Sequence, residues 1–232
     1  MLKVAFIFCL FFSTSAHSLS CDETQAKKTL SSIQWYTEDY PPYHYIDEQG
    51  KLVGIYPEIL TLIYKELNLN INIKEISIVP WARLLYTLEN SQIHAAFSMI
   101  ETSDRKNKFQ LVPLPLISKV TIMVLNENKD ILTKKSLQEL TYSVVRADIG
   151  EQLLEKQWPI KNKVQTTSAT SMLNMLIHRR IDAIAYTELV AHFQLNKMEY
   201  TKQRLVSIHT LSDTLQGNFA FHKSTPKCVS TL

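Results

Sequence analysis

Two short stretches hold the residues whose types and spacing could do chemistry: the charged triplet Asp104-Arg105-Lys106 and the sequence Asp148-Ile149-Gly150-Glu151. Arg105 is either a solvated charge or a ligand-binding guanidinium, since such a fork meets a carboxylate with two parallel charge-assisted hydrogen bonds. Tyr40 stands in a proline-flanked loop, where core burial is not expected, and its ring is a plate for a flat or aliphatic group or for a cation. Trp81 offers a similar plate, with packing on the apolar stripe of its helix as the alternative. The Ser98 hydroxyl can accept from an ammonium or donate to a carboxylate. Asp148 would repel a carboxylate, so it is either a helix cap or the contact of a cationic group, with Arg146 as a compensating charge. No nucleophile–base pairing is visible. The seven histidines show no metal-ligand spacing, there is no Cys-x2-Cys, and no cofactor is implied.

The elements that must position these residues follow an α/β grammar. After a polar leader, Ser32–Tyr36 reads as a strand. Pro57 opens a helix with Ile59, Leu60, Ile63 and Leu67 at helical spacing. Ile71-Asn72-Ile73 alternates as a strand does. Pro80 opens a helix bearing Trp81, Leu84, Leu85 and Leu88, and His94–Ile100 suits a buried parallel strand. The second half repeats the pattern. Strand Leu140–Val145 leads to a capping box in which Asp148 accepts the third helical N–H and Glu151 reaches back. Strand Lys163–Thr167 leads to a helix capped by Ser168 with Met172, Leu173, Met175 and Leu176, and then to strand Ile181–Tyr186. Two similar halves imply two similar lobes, each with helices on a mostly parallel sheet.

The bulk properties narrow the class of protein. Lys3, the apolar run Val4–Phe12 and the small residues before Ser18 read as a secretory signal, cleaved after Ser18. Nine apolar residues span about 14 Å as helix, short of a bilayer core. A lipoprotein signal ending at Cys21 is the alternative. Net charge is +3 without a basic stripe, which does not suit nucleic acid. Cys9 leaves with the signal, so Cys21 and Cys228 remain either as one disulfide joining the two ends or as two thiols.

Four motifs in order carry a resemblance. Tyr40-Pro41-Pro42-Tyr43 with Asp47-Glu48-Gln49-Gly50-Lys51-Leu52-Val53-Gly54, then Pro80-Trp81-Ala82-Arg83-Leu84, then Thr102-Ser103-Asp104-Arg105-Lys106, and finally Arg180-Ile181-Asp182-Ala183 resemble the extracellular solute-binding proteins, family 3, that serve amino-acid ABC transporters. The resemblance runs from Ile33 to the C-terminus. It implies a bilobed, type II periplasmic-binding-protein-like α/β fold. Residues 1–18 would be the signal, 19–117 lobe one with 213–232 returning to it, and 118–212 lobe two, with crossings near Leu116–Lys119 and Thr210–Gln216 as the hinge.

It also implies a periplasmic, monomeric protein that carries a small, carboxylate-bearing ligand to a membrane permease. Arg105 would pair with the carboxylate, Tyr40 and Trp81 would form walls, and Ser98, Asp148, Tyr186 and Thr187 would complete the site. Two departures from the family pattern bear on the ligand. Asp148 stands where hydroxyl residues bind the ligand carboxylate, and neutral Thr187 stands where an acid grips the ammonium, with Glu188 able to substitute only if its helix starts one residue away. Where the family has a closing helix only Ser224–Leu232 remains, so either that helix is missing, which would expose an apolar patch on lobe one, or the lobe is finished differently. Other readings are a cyclohexadienyl-dehydratase-like enzyme using Glu188 or Glu38, and a ligand-sensing partner of a membrane receptor.

Overall fold

A computed structural model describes residues 22–198 and 203–232, so the signal-peptide stretch and Cys21 lie outside the described residues. In chain order the elements are α1 (Glu23–Ser32), β1 (Gln34–Thr37), β2 (Tyr45–Ile46), β3 (Leu52–Val53), α2 (Ile55–Glu66), β4 (Ser77–Ile78), α3 (Trp81–Glu89), β5 (His94–Ile100) and α4 (Ser103–Lys108). There follow β6 (Phe109–Leu125), α5 (Lys129–Leu132), β7 (Tyr142–Val145), α6 (Ile149–Gln157), β8 (Lys163–Thr166), α7 (Ala169–Ile177), β9 (Ala183–Thr187), α8 (Glu188–Lys197) and β10 (Leu205–His222).

The sheet order β4-β1-β5-β10-β6-β9-β7-β8 makes the fold bilobed. Strands β4, β1 and β5 are mutually parallel at one end, and β8, β7 and β9 are mutually parallel at the other. The long antiparallel strands β6 and β10 run through both halves. Their pairing is irregular between Thr210 and Asn218, opposite the stretch Pro113–Val120, where the chain passes from one half to the other. Each half buries an apolar core against its helices. Trp35, Leu60, Leu84, Phe97 and Phe219 fill the first, and Ile122, Val144, Leu154 and Ala185 lie on one face of the second.

The described segments match most of the expected elements, with three differences. Ile71-Asn72-Ile73 is not a strand. The Asn72 side chain accepts from Lys74 N and bonds Glu75 Oε1, which turns the backbone into a 3-10 turn, and the pairing with β1 falls on Ser77 and Ile78 instead. Local side-chain bonds of this kind compete with extended pairing. The polar leader contains a helix, α1, capped by Asp22 on Gln25 N and anchored by Ala26 and Leu30. The capping box is displaced. Asp148 accepts from Gly150 N at 2.9 Å, and Glu151 passes over the cap residue to Ala147 N at 2.7 Å.

The last turn, Lys227–Thr231, packs on α1 and buries Val229, and Cys228 is disulfide-bonded to a partner outside the described residues. Beside Val229 a hollow of about 100 Å³ is walled by Leu30, Trp35, Leu60 and Phe221. No described helix is long and apolar enough to cross a membrane.

Candidate functional site

From the first half, the loop after β1 presents Glu38, Asp39 and Tyr40 toward the second. Pro41–Pro42 is a cis bond, and the chain turns so that Tyr43 N and His44 N both donate to Tyr40 O. The turn is seated on Gly54, at φ 122°, where a Cβ would lie 2.5 Å from Tyr43 O, so the glycine of the Leu-Val-Gly motif admits the close approach. The resulting aromatic stack is dense. The Tyr40 ring lies on Tyr43 (5.9 Å) and on His44 (5.6 Å), while Tyr56 stacks on Phe97 at 5.7 Å. His44 Nδ1 donates to Glu38 O at 2.9 Å, with Thr37 Oγ1 at 2.8 Å. Its Nε2 has no partner, and burial lowers its pKa to about 4, so the ring is neutral.

Tyr40, expected to stand free in its loop, is 6% exposed because the second half covers it. Its hydroxyl donates to Thr187 Oγ1 at 2.5 Å, and its ring meets Tyr186 edge-on at 5.6 Å.

From the second half, the turn between β7 and α6 presents Ala147 and Asp148. Ala147 adopts φ 60°, and its carbonyl faces the first half. Trp81 Nε1 donates to that oxygen at 2.9 Å, and Arg105 Nη2 donates to it at 2.9 Å. Arg105 Nη1 donates to Ile100 O at 2.9 Å, its Nε has no partner, and the guanidinium lies 4.9 Å from the Trp81 ring centroid. Arg105 is 3% exposed, so it is not a solvated charge. Trp81 is both buried on the α3 stripe and part of the junction.

The junction is charged. Arg105 lies within electrostatic reach of Asp148 and Glu38, and its own pKa is lowered by burial against the pull of these acids. Burial raises Asp148, while Gly150 N–H and Arg105 lower it. Glu38 keeps part of its surface open, yet the surrounding protein raises its pKa well above the ordinary value, and the neighbouring Asp148 raises it further. The charge facing Asp148 is therefore Arg105 from the other half. Arg146, considered for that part, is exposed.

Six of the seven candidate residues, Tyr40, Trp81, Arg105, Asp148, Tyr186 and Thr187, meet where the halves face each other. Ser98 is half-buried and lies apart from them, at φ 72° beside the Tyr56 hydroxyl. Glu188 points away. It pairs with Lys119 at 2.9 Å and accepts from Ser207 at 2.9 Å, because α8 begins at Glu188 itself and leaves Thr187 as the cap position. Asp182 accepts from Thr141 N and Oγ1, a structural tie at a strand entry. His44 was not among the candidates, and Glu38 was named only for the enzyme reading. The acid two residues before Tyr40 was the available signal for Glu38, and nothing in the spacing marked His44. Among the described residues no cluster of His, Cys, Asp and Glu is placed to hold a metal ion.

A second contact joins the halves at the rim. Tyr45 packs on Phe193 at 5.5 Å, and Lys197 Nζ lies 5.4 Å from the Tyr45 ring while donating to Ile46 O. A cavity of about 460 Å³ opens beside them.

Residues 33–147 match the family model described as bacterial extracellular solute-binding proteins, family 3. Comparison with curated proteins gives no match. Among solved structures, a mutant of ArgBP from T. maritima has a TM-score of 0.71 at 20% identity, covering 89% of this chain and 89% of that one. An amino acid ABC transporter substrate-binding protein from Streptococcus pneumoniae, bound to L-arginine, has a TM-score of 0.71 at 18% identity, covering 90% and 88%. A histidine kinase sensor domain with similarity to periplasmic binding proteins has a TM-score of 0.73 at 16% identity, covering 85% of each chain. At these identities the likeness establishes the fold.

Proposed function

We propose that this chain, whose residues 33–147 belong to the bacterial extracellular solute-binding proteins, family 3, is exported and captures a small amino-acid-like solute between its two lobes for a membrane permease. The observation that carries the reading is a buried guanidinium, Arg105, that reaches across the junction to Ala147 O within electrostatic reach of Glu38 and Asp148 and beside Tyr40, Trp81 and Tyr186. A ligand carboxylate would take the unpartnered Arg105 Nε–H together with the Nη2–H now directed at Ala147 O. Its ammonium would lie near Glu38 and Asp148, where a cation would favour ionisation of these carboxyl groups against the burial that raises their pKa values.

Lobe one would comprise residues 19–117 with 213–232, and lobe two 118–212. Bending would occur where the pairing of β6 and β10 is broken. A ligand that bridges both lobes stabilises the closed state by its differential affinity for it. The Streptococcus pneumoniae neighbour is bound to L-arginine, which favours an amino acid.

The test is thermal unfolding with arginine, lysine and glutamine, each beside its deaminated acid and its decarboxylated amine. A true ligand at a hundred times its Kd adds about 2.7 kcal/mol, or roughly 5–10 °C for a chain of this size. Amino acids should shift the transition, and the deaminated acids should not. Folded protein that responds to no member of the panel overturns the reading.

A second reading, a sensing partner of a membrane receptor, is favoured by the likeness to the kinase sensor domain. Cross-linking of the liganded protein in membranes to a permease rather than a receptor decides between them.

A further inference from the structure

One backbone oxygen gathers several of the hydrogen bonds at the junction between the lobes. Ala147 O accepts from Trp81 Nε1 and Arg105 Nη2 of the first lobe and from Gln152 Nε2 at 3.1 Å. Ala147 presents that oxygen from a left-handed backbone at φ 60°, a conformation that a residue with a Cβ adopts reluctantly. Something must hold it there.

Its own N–H donates to Glu151 Oε2 at 2.7 Å. The other carboxylate oxygen takes Gln165 Nε2 at 2.6 Å and Lys163 Nζ at 2.5 Å, both from β8 at the far edge of the sheet. The Glu151 side chain is only 6% exposed. Burial works to raise its pKa, but Lys163, Gln165 and the Ala147 N–H overcome that and hold it below the usual range, so the carboxylate is ionised at neutral pH. Among the described residues, the hydrogen bonds and ion pair of Glu151 all lie in the second lobe. Its hydrogen bond reaches the junction through Ala147, and its charge also raises the pKa of the neighbouring Asp148.

We propose that Glu151, fixed by Lys163 and Gln165, is a positioning residue for lobe closure that holds Ala147 in the backbone conformation that docks Trp81 and Arg105. The inference rests on the bilobed fold and not on what the cleft binds, so it fails or stands separately from the proposed function.

Hydrogen exchange of the tryptophan indoles, followed by NMR on the full chain without added ligand, tests it. The Trp81 indole is bonded across the lobes, whereas the Trp35 indole donates to Tyr64 inside lobe one at 2.8 Å and serves as an internal control. Loss of a charge-assisted bond predicts that Glu151→Ala lowers the protection of the Trp81 indole by roughly tenfold, with that of Trp35 unchanged. Adding Ala147→Gly restores it, because glycine takes φ near 60° without assistance.

If Glu151→Ala does not fold, the double variant carries the test and should fold with wild-type Trp81 protection. The proposal is overturned by wild-type protection in Glu151→Ala, by an equal fall at Trp35, by a double variant that stays unprotected or unfolded, or by a wild-type Trp81 indole that exchanges like free tryptophan.

Discussion

Replacing Tyr40 by Phe removes one oxygen and leaves the aromatic stack in place. That oxygen donates across the lobes to Thr187 Oγ1, which is 1% exposed and has no cap bond to its own helix. In the closed state the variant therefore leaves a buried hydroxyl without its partner, at a cost of about 1–3 kcal/mol. In the open state both groups reach water, so the whole cost falls on closure. With about 1.4 kcal/mol for each tenfold, Tyr40→Phe should weaken binding of a ligand that requires closure by roughly 5- to 150-fold.

Thr187→Val should weaken it comparably. The double variant, with neither hydroxyl present, should lose much less than the sum, because replacing both partners by apolar groups can be nearly neutral. Isothermal titration of the four proteins with whichever amino acid stabilises the wild type gives the coupling. Effects that add within about 0.3 kcal/mol would refute the argument, since independent sites add to that precision. Equal losses in urea stability and in binding would refute the assignment to closure.

Three further outcomes are expected. The pKa of His44 is depressed from about 6.5 to about 4, so the unfolded chain takes up a proton first as pH falls and stability is lost through that window. Between pH 6.5 and 5 this amounts to about 2 kcal/mol at 1.36 kcal/mol per unit. His44→Asn keeps a donor toward Glu38 O and should lose that much less between pH 7.5 and 5 in urea titrations. Glu38 and Asp148, whose raised pKa values act with the opposite sign, are common to both proteins, so an identical pH dependence would sink the prediction. Gly150→Ala should cost more than about 3 kcal/mol in urea, because the new Cβ would lie 2.1 Å from Ala185 O, and backbone cannot give way as a flexible side chain does. Thr187→Asp, which adds a third carboxyl group to the cluster, should weaken amino-acid binding at pH 8 and recover at pH 5. Tighter binding at pH 8 would show that the ammonium lies at position 187 and not near Glu38 and Asp148.

Most of the fold was legible because its signals are local. The proline at the start of α3, the serine before α7 and the unbroken apolar run of β5 act within a few residues, and the segments lie where those signals put them. Asn72 shows where a local signal misleads, since its side chain turns the backbone that alternation would extend. Which residues meet at the junction was legible by type, but not how they pair. Arg105, Trp81 and Asp148 stood out by type, yet that Arg105 and Trp81 share one carbonyl depends on the left-handed Ala147, and a sequence alanine does not announce positive φ. Glu38 was visible as an acid beside Tyr40. Its coupling to Asp148, more than a hundred positions away, arises only when the lobes face each other.

The two departures at Asp148 and Thr187 are explained by one piece of geometry. Both residues stand at the carboxyl ends of neighbouring parallel strands, β7 and β9, as the cap positions of α6 and α8. Ligands in open α/β sheets gather at such strand ends, where helix N-termini converge. Acids at both ends would repel one another in a buried site already holding Glu38, and Arg105 alone could not balance three. With the acid on β7, beside Arg105, the β9 end can be neutral. The Thr187 hydroxyl is then available to Tyr40, and a bond that closes the lobes replaces a bond to ligand. On the proposed reading, the acid facing a ligand cation would stand one strand across the sheet, at Asp148, with Glu38 as a second member from the opposite lobe.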